Sequence, residues 1–350
     1  MTKQATGLQA ISVTPPIFPE ARVRQLVAEQ YGLDGEYASL VSERDQNFRL
    51  TTADKSRYVV KIAGAAEDSI VTDFQIQALL HLETKSFPVA VPRVVRTQAG
   101  EIATSLSSDE SVHAVRVVTY LAGRPFDRIV MSVGLARSLG TCLAGLDTAL
   151  SDFDHPGDCQ ELLWDMQRAS ELHELISHIT DRQLQNTVRE CLTDFEQYAL
   201  PEFASLRRQV IHNDVNPDNV LVVPSEPVSI AGVIDFGDMI RAPLIIEVAI
   251  AASYLRSDAD DALAELVAFV AAYNDVTPLE DRECSLLYDL VRMRLATTIA
   301  IRYWRMSARP TGDAYLQKAL TEHGAEQFLA RIGEVPREQF SNRIRMARGR

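Results

Sequence analysis

The sequence predicts an α+β protein in two lobes, an antiparallel sheet with a helix followed by a larger, mainly helical region. Three short runs rich in β-branched and aromatic residues, Tyr37 to Val41, Asn47 to Thr51 and Arg57 to Ala63, follow one another early in the chain. From Ser132 onward, apolar residues recur at helical spacing over long stretches. Between these stretches, Val220 to Val223 and Val228 to Ile234 are apolar runs separated by Pro224-Ser225-Glu226-Pro227, which reads as a β-hairpin. At 350 residues with 46% hydrophobic content, the chain can fill one or two cores.

Taken in order, residues 1–18 are rich in Thr, Gln and Pro and read as a mobile arm. Pro19 to Tyr31 carries Val23, Leu26 and Val27 at helical spacing, with Gly32 as the stop. In the strands that follow, Lys61 sits in the apolar run Tyr58-Val59-Val60-Lys61-Ile62, where an ammonium needs an anion or must snorkel from an edge strand. Glu67 to Thr84 reads as a helix, and Ala90 to Val95 and Val112 to Leu121 as further strands. Ser132 caps a helix running to Leu150. Glu161 to Ala199 reads as helix with breaks near Thr180. Within it, Trp164 and Asp165 are either a receptor for an ammonium group or a packing anchor with a polar neighbour. Pro243 to Leu255 is apolar nearly all round, so Glu247 within it needs a buried partner. Ala259 to Tyr273, Leu279 to Met306 and Ala314 to Ile332 read as three more helices, and Arg343 to Arg350 as a frayed basic tail.

The chemistry concentrates between Gln209 and Asp238. Asn219 precedes the first hairpin strand and Asp235 follows the second, so antiparallel pairing brings both to the open end. An amide oxygen and a carboxylate are hard ligands suited to magnesium held together with phosphates. Asp214 lies five residues before Asn219, and His212 two residues before Asp214. This is the spacing of the kinase loop H-x-D-x-x-x-x-N, in which the aspartate takes the proton of an attacking hydroxyl. Asp235-Phe236-Gly237 then matches the magnesium-binding D-F-G. Asn213 in place of the arginine of H-R-D, Asn216 two residues after Asp214, and no A-P-E after Asp235 argue against a protein substrate.

HNDVNPDN followed by VIDFGD resembles the aminoglycoside phosphotransferase and choline kinase superfamily. The HND-x-N-x-x-N pattern, IDFGDM and EVAIA are most similar to the hydroxylysine kinase group with its bacterial relatives, and the likeness runs from about Pro19 to about Phe328. The resemblance implies a bilobal protein-kinase-like fold, with residues 19–121 as the nucleotide-binding lobe, 122–335 as the catalytic and substrate lobe, and 336–350 as a basic tail. It implies a kinase using Mg2+ and ATP or GTP on a small-molecule hydroxyl, amine-bearing as in 5-hydroxylysine; homoserine, choline or an aminoglycoside are the other acceptors. A nucleotide-binding regulator without turnover is the alternative from another class.

On this resemblance Asp214, Asn219 and Asp235 are catalytic, Asn219 and Asp235 hold the metal, and Lys61 meets the phosphates. The glycine-free loop at Asp45, Gln46 and Asn47 either contacts phosphate oxygens or is a plain polar turn. Thr119 and Leu121, in a connecting segment, face the base. Asp238 joins the metal or the substrate, His212 stabilises the loop, and Glu247 braces it. The glutamate that usually partners the lysine falls at Gln75, so Asp73 is the expected ion partner. Arg302 and Arg305 are candidates for an acceptor carboxylate.

A net charge of -13 disfavours a polyanion such as nucleic acid as partner. Four scattered cysteines without C-x-x-C spacing, and no secretory leader pattern, predict reduced thiols in a cytoplasmic protein. No apolar run is long enough to span a bilayer, so no membrane is expected. Oligomeric state leaves no trace in the sequence.

Overall fold

Gly32 takes the left-handed conformation, φ 67°, that ends the first helix, α1 (Glu20–Tyr31), at low steric cost. The strands β1 (Gly35–Leu40), β2 (Gln46–Thr52) and β3 (Arg57–Ile62) then pair antiparallel in succession, as the three β-branched runs predict. Asp68 accepts a hydrogen bond from the Ile70 N–H and caps α2 (Ser69–Glu83). β4 (Val94–Val95), β5 (Thr104–Ser107) and β6 (Val112–Thr119) complete the sheet, in the order β1-β2-β3-β6-β4 with β5 also on β6. Val23 and Val27 of α1 pack with Phe48, Leu50, Val60 and Val117 of the sheet. Burying each such side chain stabilises by about 1.5–3 kcal/mol over leaving it exposed.

The computed structural model describes residues 15–87, 89–108, 111–126, 129–256, 260–308 and 324–349. Residues 1–14 of the expected arm, Pro88, the stretch 314–323 of an expected helix, and Arg350 lie outside them. The chain divides into two units. One takes residues up to Ser86, Ala90–Ala122 and Asp154–Leu162; the other takes Phe87–Val89, Gly123–Phe153 and everything from Leu163 on.

The second unit opens with β7 (Arg124–Pro125) and α3 (Val133–Leu150), where Ser132 accepts the Leu135 N–H as the sequence predicts. Glu161 to Ala199 is not the one interrupted helix expected. It winds through 3-10 turns at Met166–Glu174 and Ile176–His178, and a regular helix, α4 (Arg182–Asp194), starts only at the Asp181 cap. The side chain of Gln185 donates to the carbonyls of Ile176 and Ile179, which closes this corner. β8 (Arg208–Ile211), β9 (Val220–Val223), β10 (Glu226–Val233) and β11 (Ile240–Pro243) follow. β9 pairs antiparallel with β10 as the predicted hairpin, and β8 with β11.

Among the described residues that follow are the helices α5 (Leu244–Ala252), α6 (Ala264–Val276), α7 (Asp281–Ala308), α8 (Gly324–Gly333) and α9 (Arg337–Ala347). α3 lies against α6 so closely that a Cβ at Gly140 would sit 2.3 Å from the Phe269 carbonyl oxygen. The expected frayed tail is instead α9, docked by Phe340 and Ile344, both fully buried. Arg343 forms a bidentate pair with Asp261 at 2.5 and 2.6 Å, and the buried Arg348 meets Asp281 at 2.9 Å. An apolar pair four residues apart after Pro336 was the signal beneath the basic composition. Cys142, Cys191 and Cys284 are buried thiols and Cys159 an exposed one. Among the described residues no helix is long and apolar enough to cross a membrane.

Candidate active site

The hairpin register sets Val220 opposite Val233, and the Ile234 N–H donates to the Asn219 carbonyl at 2.9 Å. Asn219 and Asp235 therefore flank the open end, as strand pairing demanded. Asn219 Nδ2 donates to Asp214 Oδ2 at 2.7 Å and to the Asp214 carbonyl at 3.0 Å. With its nitrogen committed there, the side chain of Asn219 keeps its amide oxygen as an acceptor. Asp235 is exposed, in a left-handed conformation of φ 64° and ψ 76° that costs a non-glycine residue energy and turns the chain sharply after β10. One amide oxygen and one carboxylate at a hairpin mouth form a donor set that fits Mg2+.

Asp214 is the most constrained group of the loop. Asn216 Nδ2 donates to its Oδ1 at 2.9 Å, and Asn216 Oδ1 in turn accepts the N–H groups of Asp218 and Asn219 at 2.8 and 3.2 Å. Arg294 on α7 brings Nη2 to 3.7 Å from Asp214 Oδ1. Burial, then the charge of Asp238, pushes the Asp214 carboxyl up to about 8, against the Arg294 guanidinium and the Asn216 hydrogen bond. About a quarter of the side chain, 24%, is still open to solvent, which moderates the burial effect. Asn216 and Arg294 had not been singled out for this role. Arg294 left a signal, a cation flanked by Val291, Met293, Leu295 and Ala296.

His212 is fully buried and hydrogen-bonded at both nitrogens: Nε2 to the Ile234 carbonyl at 3.1 Å, Nδ1 accepting the Asp214 N–H at 3.3 Å. Burial lowers its pKa to about 4, so the neutral ring joins the loop to the hairpin and packs edge-on against Phe236. Asn213 adopts φ 63°, its N–H donating to Glu247 Oε2 at 2.7 Å and its amide to the Asp238 carbonyl at 3.0 Å. Glu247 lies fully buried on α5 with that N–H as a partner of Oε2, and burial pushes its carboxyl well above the usual range despite this hydrogen bond.

Other expected residues lie differently. The Trp164 ring is flanked by the guanidiniums of Arg294 and Arg305, 4.9 and 5.2 Å from its centroid. Asp165 caps a 3-10 turn by accepting the Gln167 N–H at 2.9 Å. An ammonium receptor built from these two is thus replaced by a cation-faced ring and a helix cap. Arg302 pairs with Glu326.

In the sheet unit, Lys61 Nζ lies 3.9 Å from Asp45 Oδ2. The expected partner, Asp73, instead binds Gln77 at 3.1 Å and His155 at 3.2 Å, and Gln75 accepts from Arg116 of β6. The Asp45 N–H is committed to Ser42 Oγ, and the Gln46 amide exchanges two hydrogen bonds with the Phe18 backbone. Asn47 lies in β2, with Lys61 as its cross-strand neighbour. The N–H of Thr119 is used by the Arg93 carbonyl and that of Tyr120 by Arg57, so a base contact at Thr119 would use its carbonyl. Leu121 follows the end of β6.

The sequence matches the family described as phosphotransferase enzyme family over residues 38–284. The hydroxylysine kinase of Mus musculus is 26% identical over 334 residues, covering 89% of this chain and 88% of that protein. An amicoumacin kinase, hAmiN, solved with AMP-PNP, Ca2+ and Ami, superposes with a TM-score of 0.67 at 15% identity, over 93% of this chain and 94% of that one. A microcompartment-associated aminopropanol kinase gives a TM-score of 0.61 at 17% identity, over 90% and 97%. These two structures share the fold.

Proposed function

The chain belongs to the phosphotransferase enzyme family, and from that premise we propose that it moves the γ-phosphoryl group of ATP or GTP onto a hydroxyl of an amino alcohol or hydroxy amino acid such as 5-hydroxylysine. The observation that carries the reading is the pinning of Asp214 by Asn216 and Asn219 at the mouth of the hairpin, with solvent access retained. The likeness to hydroxylysine kinase over most of both chains supports a hydroxy amino acid acceptor.

In this reaction the acceptor hydroxyl oxygen bonds to the γ-phosphorus, its proton passes to a carboxylate oxygen of Asp214, and the nucleoside diphosphate leaves. Each Asp214 oxygen already accepts one hydrogen bond and keeps a second lone pair for the incoming O–H. Asn216 and Asn219 hold the carboxylate in place, so little reorganisation accompanies proton transfer. Asn219 and Asp235 would hold Mg2+, which neutralises phosphate charge when bound. Asp238, which acts electrostatically on Asp214, would favour an amine-bearing acceptor there. Lys61 holds the nucleotide phosphates.

The test is a coupled turnover screen with ATP and GTP, plus magnesium, across hydroxylysine, homoserine, choline, ethanolamine, threonine and aminoglycosides. Acceptor-dependent release of nucleoside diphosphate with hydroxylysine is the expected result. Magnesium-nucleotide binding with no turnover across the panel would favour a regulator.

A further inference from the structure

A lysine inside an apolar strand has to be neutralised and aimed, and kinases of the type resembled here do both with a glutamate on the next helix. In this chain the residue at that helix position is not acidic. Position 75 of α2 holds a neutral glutamine, and its Oε1 accepts from Arg116 Nη2. Glu67, just before α2, accepts from the Thr72 hydroxyl and lies 3.6 Å from Arg116 Nη1. Asp73 turns to Gln77 and His155.

The strand register explains why Arg116 intercepts the helix. Lys61 on β3 stands directly opposite Arg116 on β6 and directly opposite Asn47 on β2, so Asn47, Lys61 and Arg116 form a row on one face of the sheet. Arg116 is only 3% exposed, and its reach to Gln75 of α2 and to Glu67 just before it ties that segment to the sheet. The carboxylate beside Lys61 comes instead from the β1–β2 turn. Asp45 brings Oδ2 to 3.9 Å from Lys61 Nζ and, with Oδ1, accepts the Gly64 N–H at 3.4 Å. Its own N–H is fixed on Ser42 Oγ at 3.2 Å. Both side chains are largely withdrawn from solvent, at 14% and 12% exposure, so their attraction is only weakly screened.

We propose that Asp45 is a positioning residue of Lys61, standing in for a helix-borne glutamate, while Arg116 binds the neutral residue at that helix position. The inference rests on the reading of Lys61 as the residue that holds the nucleotide phosphates. Its consequence is that the polar turn and the lysine act as one unit: the turn sets where the ammonium points.

The experiment is a double-mutant cycle on the full chain, with Kd for magnesium AMP-PNP read by calorimetry and KM for the nucleotide read beside kcat. Lys61→Met and Asp45→Asn are each expected to weaken nucleotide binding by about 3- to 30-fold, within the usual range for coupled neighbours. The double variant should bind no more weakly than Lys61→Met alone, and Asp45→Glu should restore most of the affinity. Should Asp45→Asn fail to fold, Asp45→Ser keeps a hydroxyl for the Gly64 N–H and gives the same comparison. Multiplying effects in the double variant, or unchanged affinity without the Asp45 carboxylate, would overturn the pairing while leaving the phosphate role of Lys61 standing. Unchanged affinity in Lys61→Met would overturn that role and the inference with it.

Discussion

Asp214 is held by Asn216 and Asn219, two and five residues further along one loop, whereas Lys61 meets a carboxylate from another strand's turn and Arg116 reaches a glutamine 41 residues away. The first site is encoded in a single short stretch, so its spacing alone specifies the geometry once the flanking hairpin forms. The second is assembled by strand register, and a change at any of three elements can exchange one ion partner for another. Local loops that bind their own backbone are therefore rigid in their chemistry, and cross-sheet charge rows are open to substitution.

The largest expected effect lies in the first region. Asp214→Asn keeps an acceptor for only one of the two amide donors, Asn216 or Asn219, and removes the proton acceptor, and turnover should fall by about 10²–10⁴-fold. Retained turnover in a steady-state assay would remove Asp214 from the base role and erase the contrast.

Next comes the brace beneath the loop. Glu247→Leu leaves the Asn213 N–H, at a left-handed backbone position, buried with no acceptor, at a cost of about 1–3 kcal/mol. The urea midpoint should drop and turnover with it. An unchanged midpoint would mean that the loop holds its shape without α5.

A further effect on stability is expected from pH. Asp147 on α3 is buried and accepts the Tyr273 hydroxyl at 2.6 Å, and burial raises its carboxyl to about 8 despite that hydrogen bond. A folded pKa above the unfolded one, near 4, means that the fold favours the protonated form. This group's contribution to stability is complete below about pH 4 and is lost as pH rises through about 8. The wild-type urea midpoint should therefore fall from pH 5 to pH 8, and the Asp147→Asn midpoint should fall less. Equal slopes would show that Asp147 is ionised at no cost.

The smallest effect is predicted for Trp164→Phe. The ring serves Arg294 and Arg305, and Phe keeps a weaker π-face for them, so the loss should be about 0.5–1 kcal/mol of stability. The acceptor KM should move by less than about twofold, the equivalent of under 0.5 kcal/mol. A tenfold rise in KM confined to amine-bearing acceptors would return the ring to substrate binding.

These contrasts explain what the sequence revealed. The hairpin, the three early strands, the Ser132 cap and the buried partner of Glu247 were legible because each follows from local patterning or from one buried charge. The partner of Lys61 was not, because Asp45, Asp73 and Gln75 differ only in where strand register and the competing Arg116 place them. The 3-10 turns before Asp181 escaped because their apolar spacing imitates a regular helix while Asp165 and Asp181 cap separate pieces. The last helix was hidden by its charge, since Arg343 and Arg348 look solvated until Asp261 and Asp281 are brought beside them.

In the proposed reaction the labour is divided, with the loop around Asp214 performing transfer and the lysine sheet holding the nucleotide. The most direct test is the affinity of Asp214→Asn for magnesium AMP-PNP, measured on the same preparation whose turnover has been lost. The account predicts a Kd close to that of the wild type. A Kd weakened in proportion to the loss of turnover would contradict it.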